Sequence, residues 1–251
     1  MAQQTEIAWT ESTFNPWWGC SKVSPGCDHC YAQAWDKRTG GAHWGPGTKP
    51  RKMSDGYWKE PPKWNKTASD LHRVFCGSMC DVFDRNAPPK ERERLWDTIK
   101  KTPKLSWLLL TKRTQNIADC LPADWREGYP NVWLGATVEN RHHGLPRIDT
   151  LREIPARVRF LSCEPLLEDL GPMNLSGIHW VIVGGESGTT SRPMEPSWVE
   201  GIINQCTEQC VPVFFKQWGG PGKDKGGCMV YGGELKQIPA VEQVGQMELF
   251  T

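Results

Sequence analysis

The chain has 251 residues, 38% hydrophobic and 24% charged, with 30 basic against 29 acidic side chains for a formal net charge of +1. A chain of this length makes one domain or two small ones and buries enough surface to fold without disulfide staples. No apolar run approaches the ~18 residues of a membrane span, the opening MAQQTEIAWTEST lacks the basic flank and apolar stretch of a signal peptide, and a cytoplasmic protein with no membrane partner is expected.

In chain order, a first strand is expected near 13–18 (TFNPWW), then a loop broken by Pro and Gly, then a stretch over 35–66 without apolar periodicity. Compact β-branched and aromatic runs follow at 74–76 with continuation to Val82 and Phe83, and at 105–110, 131–138, 158–163, 178–183 and 211–215. Such runs suit strands buried on both faces. Residues 88–101 open on prolines suited to a first helical turn and close on lysines suited to a last one. Residues 196–210 place Trp198, Ile202 and Ile203 on one side of a helix, while 114–128 and 140–157 carry weaker helical signals.

Strands alternating with crossovers predict a parallel α/β sheet, either a closed or partial (β/α) barrel or an open doubly wound sheet. In both, the residues just after each strand converge on one face, where ligands bind. Here those residues are Asp81 and Asp84; Thr111, Lys112 and Arg113; Thr137 to Asn140; Ser162 to Pro165; Gly184 to Gly188; and Lys216 to Gly220. Six polar or glycine-rich ends in a row predict a site rather than mere turns. Lys112 and Lys216 are candidates to hold an anionic substrate, against a solvated rim as the plain alternative. Gly184-Gly185-Glu186-Ser187-Gly188 lacks the spacing of either common phosphate loop.

The strongest local signal is a C-x6-C-x2-C arrangement, Cys20, Cys27 and Cys30, within the loop 17–31. Such a loop can wrap thiolates around one centre, as zinc and iron–sulfur sites require. Three readings stay open: incidental core thiols, structural zinc completed by His29, His43 or Cys80, and a cluster-bearing loop at a barrel mouth. Pro25, Gly26 and Asp28 within the loop argue against the first.

The loop after a first strand, followed by a β/α series, resembles the radical S-adenosylmethionine superfamily, although its usual spacing is C-x3-C-x2-C. The whole chain is similar to a phage- and prophage-associated family of uncharacterised three-cysteine-motif proteins, through FNPWWGCSKVSPGCDHCYA, VFCGSMCDVFD, LLLTKR, LGATVEN, RFLSCEPLLEDL, WVIVGGESG and FFKQWGG in order between residues 14 and 220. The resemblance implies a partial or complete, TIM-barrel-like (β/α) barrel over 1–220, with 221–251 as a C-terminal extension. It implies that Cys20, Cys27 and Cys30 ligate a [4Fe-4S] cluster whose fourth iron is chelated by S-adenosylmethionine. A flavodoxin- or ferredoxin-like donor would reduce the cluster, and cleavage of the sulfonium would yield a 5′-deoxyadenosyl radical that abstracts hydrogen from substrate. His29 would lie beside the adenine, and Gly77, Ser78, Met79 and Asp81 would meet the methionine amino group. Glu139 and Asn140 would take the ribose, with Cys163, Glu164, Gly184, Gly185 and Glu186 completing the cradle. Cys163 is in addition a candidate substrate-side thiol, against the common fate of a buried cysteine in the core.

Residues 35–66 mix Trp35, Trp44, Tyr57, Trp58 and Trp64 with eight lysines and arginines. Cations beside flat rings are what a polynucleotide groove uses, and DNA or a nucleotide is the expected substrate class. The alternative for these rings is an insertion pinned to the barrel. A noncatalytic zinc- or cluster-containing nucleic-acid-binding phage protein is the competing function.

Overall fold

The computed structural model describes residues 5–68 and 71–240; residues 1–4, 69–70 and 241–251, and with the last of these the end of the expected C-terminal extension, lie outside the described residues. In chain order the strands are β1 (Ser12–Phe14), β2 (Trp17–Trp18), β3 (Arg51–Lys52), β4 (His72–Cys76), β5 (Leu105–Thr111), β6 (Val132–Thr137), β7 (Val158–Cys163), β8 (Trp180–Gly184), β9 (Val213–Gln217), β10 (Met229–Val230) and β11 (Gly233–Glu234). The helices are α1 (Tyr31–Arg38), α2 (Glu60–Thr67), α3 (Pro89–Lys100), the single turn α4 (Ile117–Cys120), α5 (Arg141–Arg152) and α6 (Pro196–Glu208).

Seven strands form one sheet in the order β1-β4-β5-β6-β7-β8-β9, every pair parallel. Each new strand is added at the same edge, whereas a doubly wound sheet reverses at a switch point. The sheet therefore curls into a half-barrel, the partial form of the expected (β/α) barrel.

Strand side chains alternate between two apolar layers. Val74, Cys76, Trp107, Leu109, Leu134, Leu161, Cys163, Val183 and Phe215 face the helices, among them Leu95, Ile99, Ile148, Leu151, Val199 and Ile202. The residues between them, Phe75, Leu108, Trp133, Phe160, Trp180, Ile182 and Phe214, face the hollow and are joined there by Trp9. Trp180 meets Phe214 at 90° and Trp133 at 89°, edge-to-face packing that fills the hollow toward the N-terminal ends of the strands. Continuing the alternation past the strand ends turns Lys112, Glu164 and Lys216 toward the hollow and keeps Cys163 on the helix side.

Two local expectations are corrected. Val82 and Phe83 do not extend β4: Asp81 Oδ1 accepts from Phe83 N at 3.0 Å, and that turn ends the strand's course. The segment 13–18 divides, with β1 joining the main sheet and β2 pairing antiparallel with β3. Residues 233–237 are structural: Leu235 O accepts from Phe215 N, Gln237 N donates to Val213 O, and Gln237 O accepts from Trp180 Nε1, so they cover the free edge of β9. Among the described residues no helix is long and apolar enough to cross a membrane.

The rings of 35–66 divide as well. Trp58 and Trp64 are buried against Phe14, whose ring also stacks on Tyr57 at 4.9 Å, and Arg94 lies over Trp58. Trp44 packs on the Trp18–Met79 cluster. Anchoring thus accounts for most of the rings, and Trp35 is the one that is exposed.

Candidate active site

The cysteine loop leaves β1 at the open end of the half-barrel and is bolted across the ends of four strands. At β4, Asn15 is the fastener: its Oδ1 accepts from Met79 N at 2.7 Å and its Nδ2 donates to Ser78 Oγ at 3.0 Å. Gly77 N donates to Phe14 O, and Gly19 N donates to Met79 O at 3.0 Å. Gly19 has φ +125° and lies where a Cβ would come within 2.6 Å of His43 O, so a side chain is excluded twice over.

At β5 the fastener is Arg113. Its guanidinium pairs with Asp81 at 2.8 Å and Asp84 at 3.0 Å, and donates to Ser21 O at 2.6 Å and Ser21 Oγ at 2.9 Å. Asp84 in turn accepts from Ser21 N, and Asp81 from Thr111 Oγ1 at 2.8 Å. All three charged residues are buried, so both carboxylates depend on the one guanidinium and it on them. Arg113 Nη1 also lies 3.5 Å from Cys20 Sγ. Burial, with the Asp81 and Asp84 carboxylates beside it, pushes the Cys20 thiol up to about 12.

At β6, Gly26 rests on Glu139 and Lys112: an added Cβ would lie 3.0 Å from Glu139 Cγ and 3.2 Å from Lys112 Cε. Glu139 is fully buried and pairs with Arg147 of α5 at 2.6 Å. Burial works to raise its carboxyl, but the Lys112 and Arg147 charges prevail and hold it below the usual range. The Ser24 hydroxyl is near enough to assist, yet neither Ser24 Oγ nor Glu139 Oε1 completes a hydrogen bond among the described residues.

After β8, Glu186 receives His29 Nδ1 at 2.9 Å together with Arg192 Nε and N, both at 2.9 Å. Arg192 reaches on to Pro25 O at 3.0 Å. Burial opposes ionisation here too, but the Arg192 and His29 bonds bring the Glu186 carboxyl down to about 2. Below the loop, Glu164 and Lys216 form an ion pair across Gly184, which lies between them without a side chain.

The structure thus gathers His29, Ser78, Met79, Asp81, Glu139, Glu186 and Lys112 around the loop, with Glu164, Gly184 and Lys216 in the hollow beneath. Several are otherwise engaged than the sequence suggests. Asp81 and Glu186 are committed to arginines. Asn140 caps α5, its Oδ1 accepting from His143 N at 2.8 Å. Gly185 packs against the Trp218 carbonyl. Cys163 is set apart, fully buried on the helix side near Cys206, and does not face the hollow. Arg192 and Arg147 were not foreseeable: one lies in an irregular segment and the other inside a helix, and only the fold brings them to carboxylates.

The donor chemistry suits a thiolate-held iron–sulfur group, since one loop carries three cysteines that make no disulfide. The arrangement does not yet gather them: among the described residues no three His, Cys, Asp or Glu side chains come together as a metal-ligating group. Cys20 is turned to Arg113 and Ser21 O, Cys27 closes the 3₁₀ turn Pro25–Cys27, and Cys30 precedes α1 and packs beside Trp18.

Fold and loop together define a partial (β/α) barrel with a three-cysteine loop over its C-terminal mouth. The chain belongs to the family described as Protein of unknown function (DUF5131), which matches residues 4–246. Among curated proteins none matches the chain in sequence. Among solved structures it is similar to a cysteine-to-serine mutant of spore photoproduct lyase, with 12% identity and TM-score 0.47 over 82% of this chain and 65% of that one. It is similar also to a variant of that lyase with bound AdoMet and dinucleoside spore photoproduct, with 11% identity and TM-score 0.45 over 77% and 60%. The chain spans less than two thirds of the length of either.

Proposed function

We propose that this protein is a radical S-adenosylmethionine enzyme acting on a nucleic-acid base or a base-linked group. The observation that carries the reading is placement: a loop with three thiols lies across the C-terminal ends of parallel strands, where barrel enzymes assemble their sites. Cys20, Cys27 and Cys30 are the residues that would hold a [4Fe-4S] cluster, once Cys20 turns away from Arg113. A cluster held there and reduced by a flavodoxin- or ferredoxin-like donor would supply the electron for cleaving S-adenosylmethionine, the chemistry that starts hydrogen abstraction. The chain's own residues bind and shield. Arg113, Asp84, Glu186 and Arg192 fix both ends of the loop; Lys112, Glu164 and Lys216 supply charge in the hollow, and the aromatic floor excludes water below it.

The test is anaerobic purification followed by reduction in the presence of S-adenosylmethionine. A brown protein that contains about four irons per chain and releases 5′-deoxyadenosine is expected. A colourless protein holding one zinc and releasing none overturns the reading. Cys27→Ala is expected to lose the iron while keeping the far-ultraviolet dichroism of the barrel.

A further inference from the structure

Most rings of 35–66 are consumed as anchors, but one face of α1 is not. Tyr31, Trp35 and Arg38 recur at i, i+4 and i+7 and so share a face. Tyr31 is 60% exposed, Trp35 38%, and Arg38 is exposed as well. The row begins at the barrel mouth, because Tyr31 follows Cys30 directly and its Oη donates to Ser78 O at 2.9 Å. Beside the row, Arg51 lies with its guanidinium 4.6 Å above the Trp18 ring, and Trp35 meets that same ring edge-on at 4.9 Å. Trp18 is only 4% exposed, so it is a fixed base on which an exposed ring and an exposed cation are both set.

Charge is concentrated in the stretch of chain that carries this face. Residues 35–66 carry eight Lys and Arg against three Asp and Glu, while the rest of the chain carries 22 against 26. Lys37, Lys49, Lys59 and Lys66 are exposed. One of the three acids, Asp36, is buried and engaged with His43, and another, Glu60, with Lys63. A chain of net charge +1 therefore carries, directly after its cysteine loop, a cation-rich segment, and the exposed rings Tyr31 and Trp35 with Arg38 and Arg51 form a strip beside that loop.

We propose that this strip binds single-stranded DNA, with bases stacking on Trp35 and Tyr31, phosphates on Arg38 and Arg51, and the strand running toward the mouth. Unpaired bases offer their faces to such rings, whereas a duplex keeps them stacked inside. In this row the cations serve phosphates and the rings serve base faces, so a strand without 2′-hydroxyls forgoes no contact, and DNA is the proposed occupant. Delivery of a base to the mouth rests on the enzyme reading above; binding of the strand does not.

The experiment is fluorescence anisotropy of the full chain with a labelled oligothymidylate of about twelve nucleotides, a length within the range that stacking grooves cover. Wild type is expected to bind it more tightly than a blunt duplex or an oligouridylate of equal length. Trp35→Ala is expected to weaken binding about tenfold, a typical loss for one stacked base, and Trp35→Phe to restore most of it. Arg51→Gln is expected to flatten the dependence of log affinity on log salt by about 0.7, one phosphate contact on a single strand. Circular dichroism and iron content are read on the same preparations and are expected to be unchanged by these variants. Absence of binding at low salt, wild-type affinity in Trp35→Ala and Arg51→Gln, or a preference for duplex or RNA overturns the proposal. Iron content and 5′-deoxyadenosine are separate readouts, so loss of the enzyme reading with strand binding intact is distinguished from the reverse.

Discussion

The two ends of the half-barrel are built on opposite principles. Toward the N-terminal ends of the strands the hollow is filled by the buried rings Trp9, Phe75, Trp133, Phe160, Trp180 and Phe214, with Trp180 meeting Trp9, Trp133 and Phe214 edge-on. At the C-terminal mouth the contacts are charge pairs, Arg113 with Asp81 and Asp84, Arg147 with Glu139, and Arg192 with Glu186. Apolar packing is non-directional and serves for closure. Buried ion pairs add little net stability but are directional, and these hold a glycine- and proline-broken loop whose apolar packing is confined to its ends, at Trp17, Trp18 and Cys30. Stability belongs to the floor, and geometry belongs to the mouth.

Substitutions at the two ends separate these roles. The largest effect is expected of Trp180→Ala, a loss of about 3 to 5 kcal/mol in urea unfolding, with hydrogen-exchange protection of residues 19–30 relative to the core unaltered. Equal loosening of the loop in that variant breaks the contrast. Arg113→Gln is expected to cost about 3 kcal/mol, because two carboxylates are left buried without their cation, and here loop protection falls first.

The Glu186 carboxyl sits at about 2 when folded, against an ordinary 4.5. A depressed folded value means that its contribution is complete above about pH 5.5 and is lost as pH falls through 4.5 toward 2, an amount on the order of 2 kcal/mol. Urea midpoints between pH 7 and pH 3 are expected to fall less steeply in Glu186→Gln than in wild type. Gly26→Ala, which pushes a methyl against Glu139 and Lys112, is expected to cost about 1 kcal/mol and to speed alkylation of the loop thiols. Smallest is Cys163→Ala, about 1 kcal/mol or less with iron content unchanged, since that thiol faces the helices; loss of iron there would return Cys163 to the site.

Much of the fold was legible in the residues. The runs at 105–110, 158–163 and 178–183 lie within a residue or two of β5, β7 and β8, because strands buried on both faces are apolar throughout. Helices were legible where prolines and lysines marked their ends, as at α3, and poorly so around 114–128, where a 3₁₀ turn, Thr114–Asn116, leads into the single turn α4. The residues after the strands also pointed to the mouth, since parallel topology sends all such ends to one face. Their partners were not legible. Nothing local in Asp81 or Glu186 distinguishes a carboxylate awaiting a ligand from one bound to Arg113 or Arg192, residues 32 and 6 positions away.

The local chemistry was therefore decided by the chain's order alone: seven strands, three thiols in one loop, and an excess of cations after it. Which side of the sheet each residue faces is settled only when the sheet curls. That step set Cys163 against the helices, turned Glu164 and Lys216 into the hollow, and buried Trp58 and Trp64 while leaving Trp35 at the surface. Side-chain type is a property of one position, whereas burial and pairing depend on residues far along the chain, and no local pattern carries them.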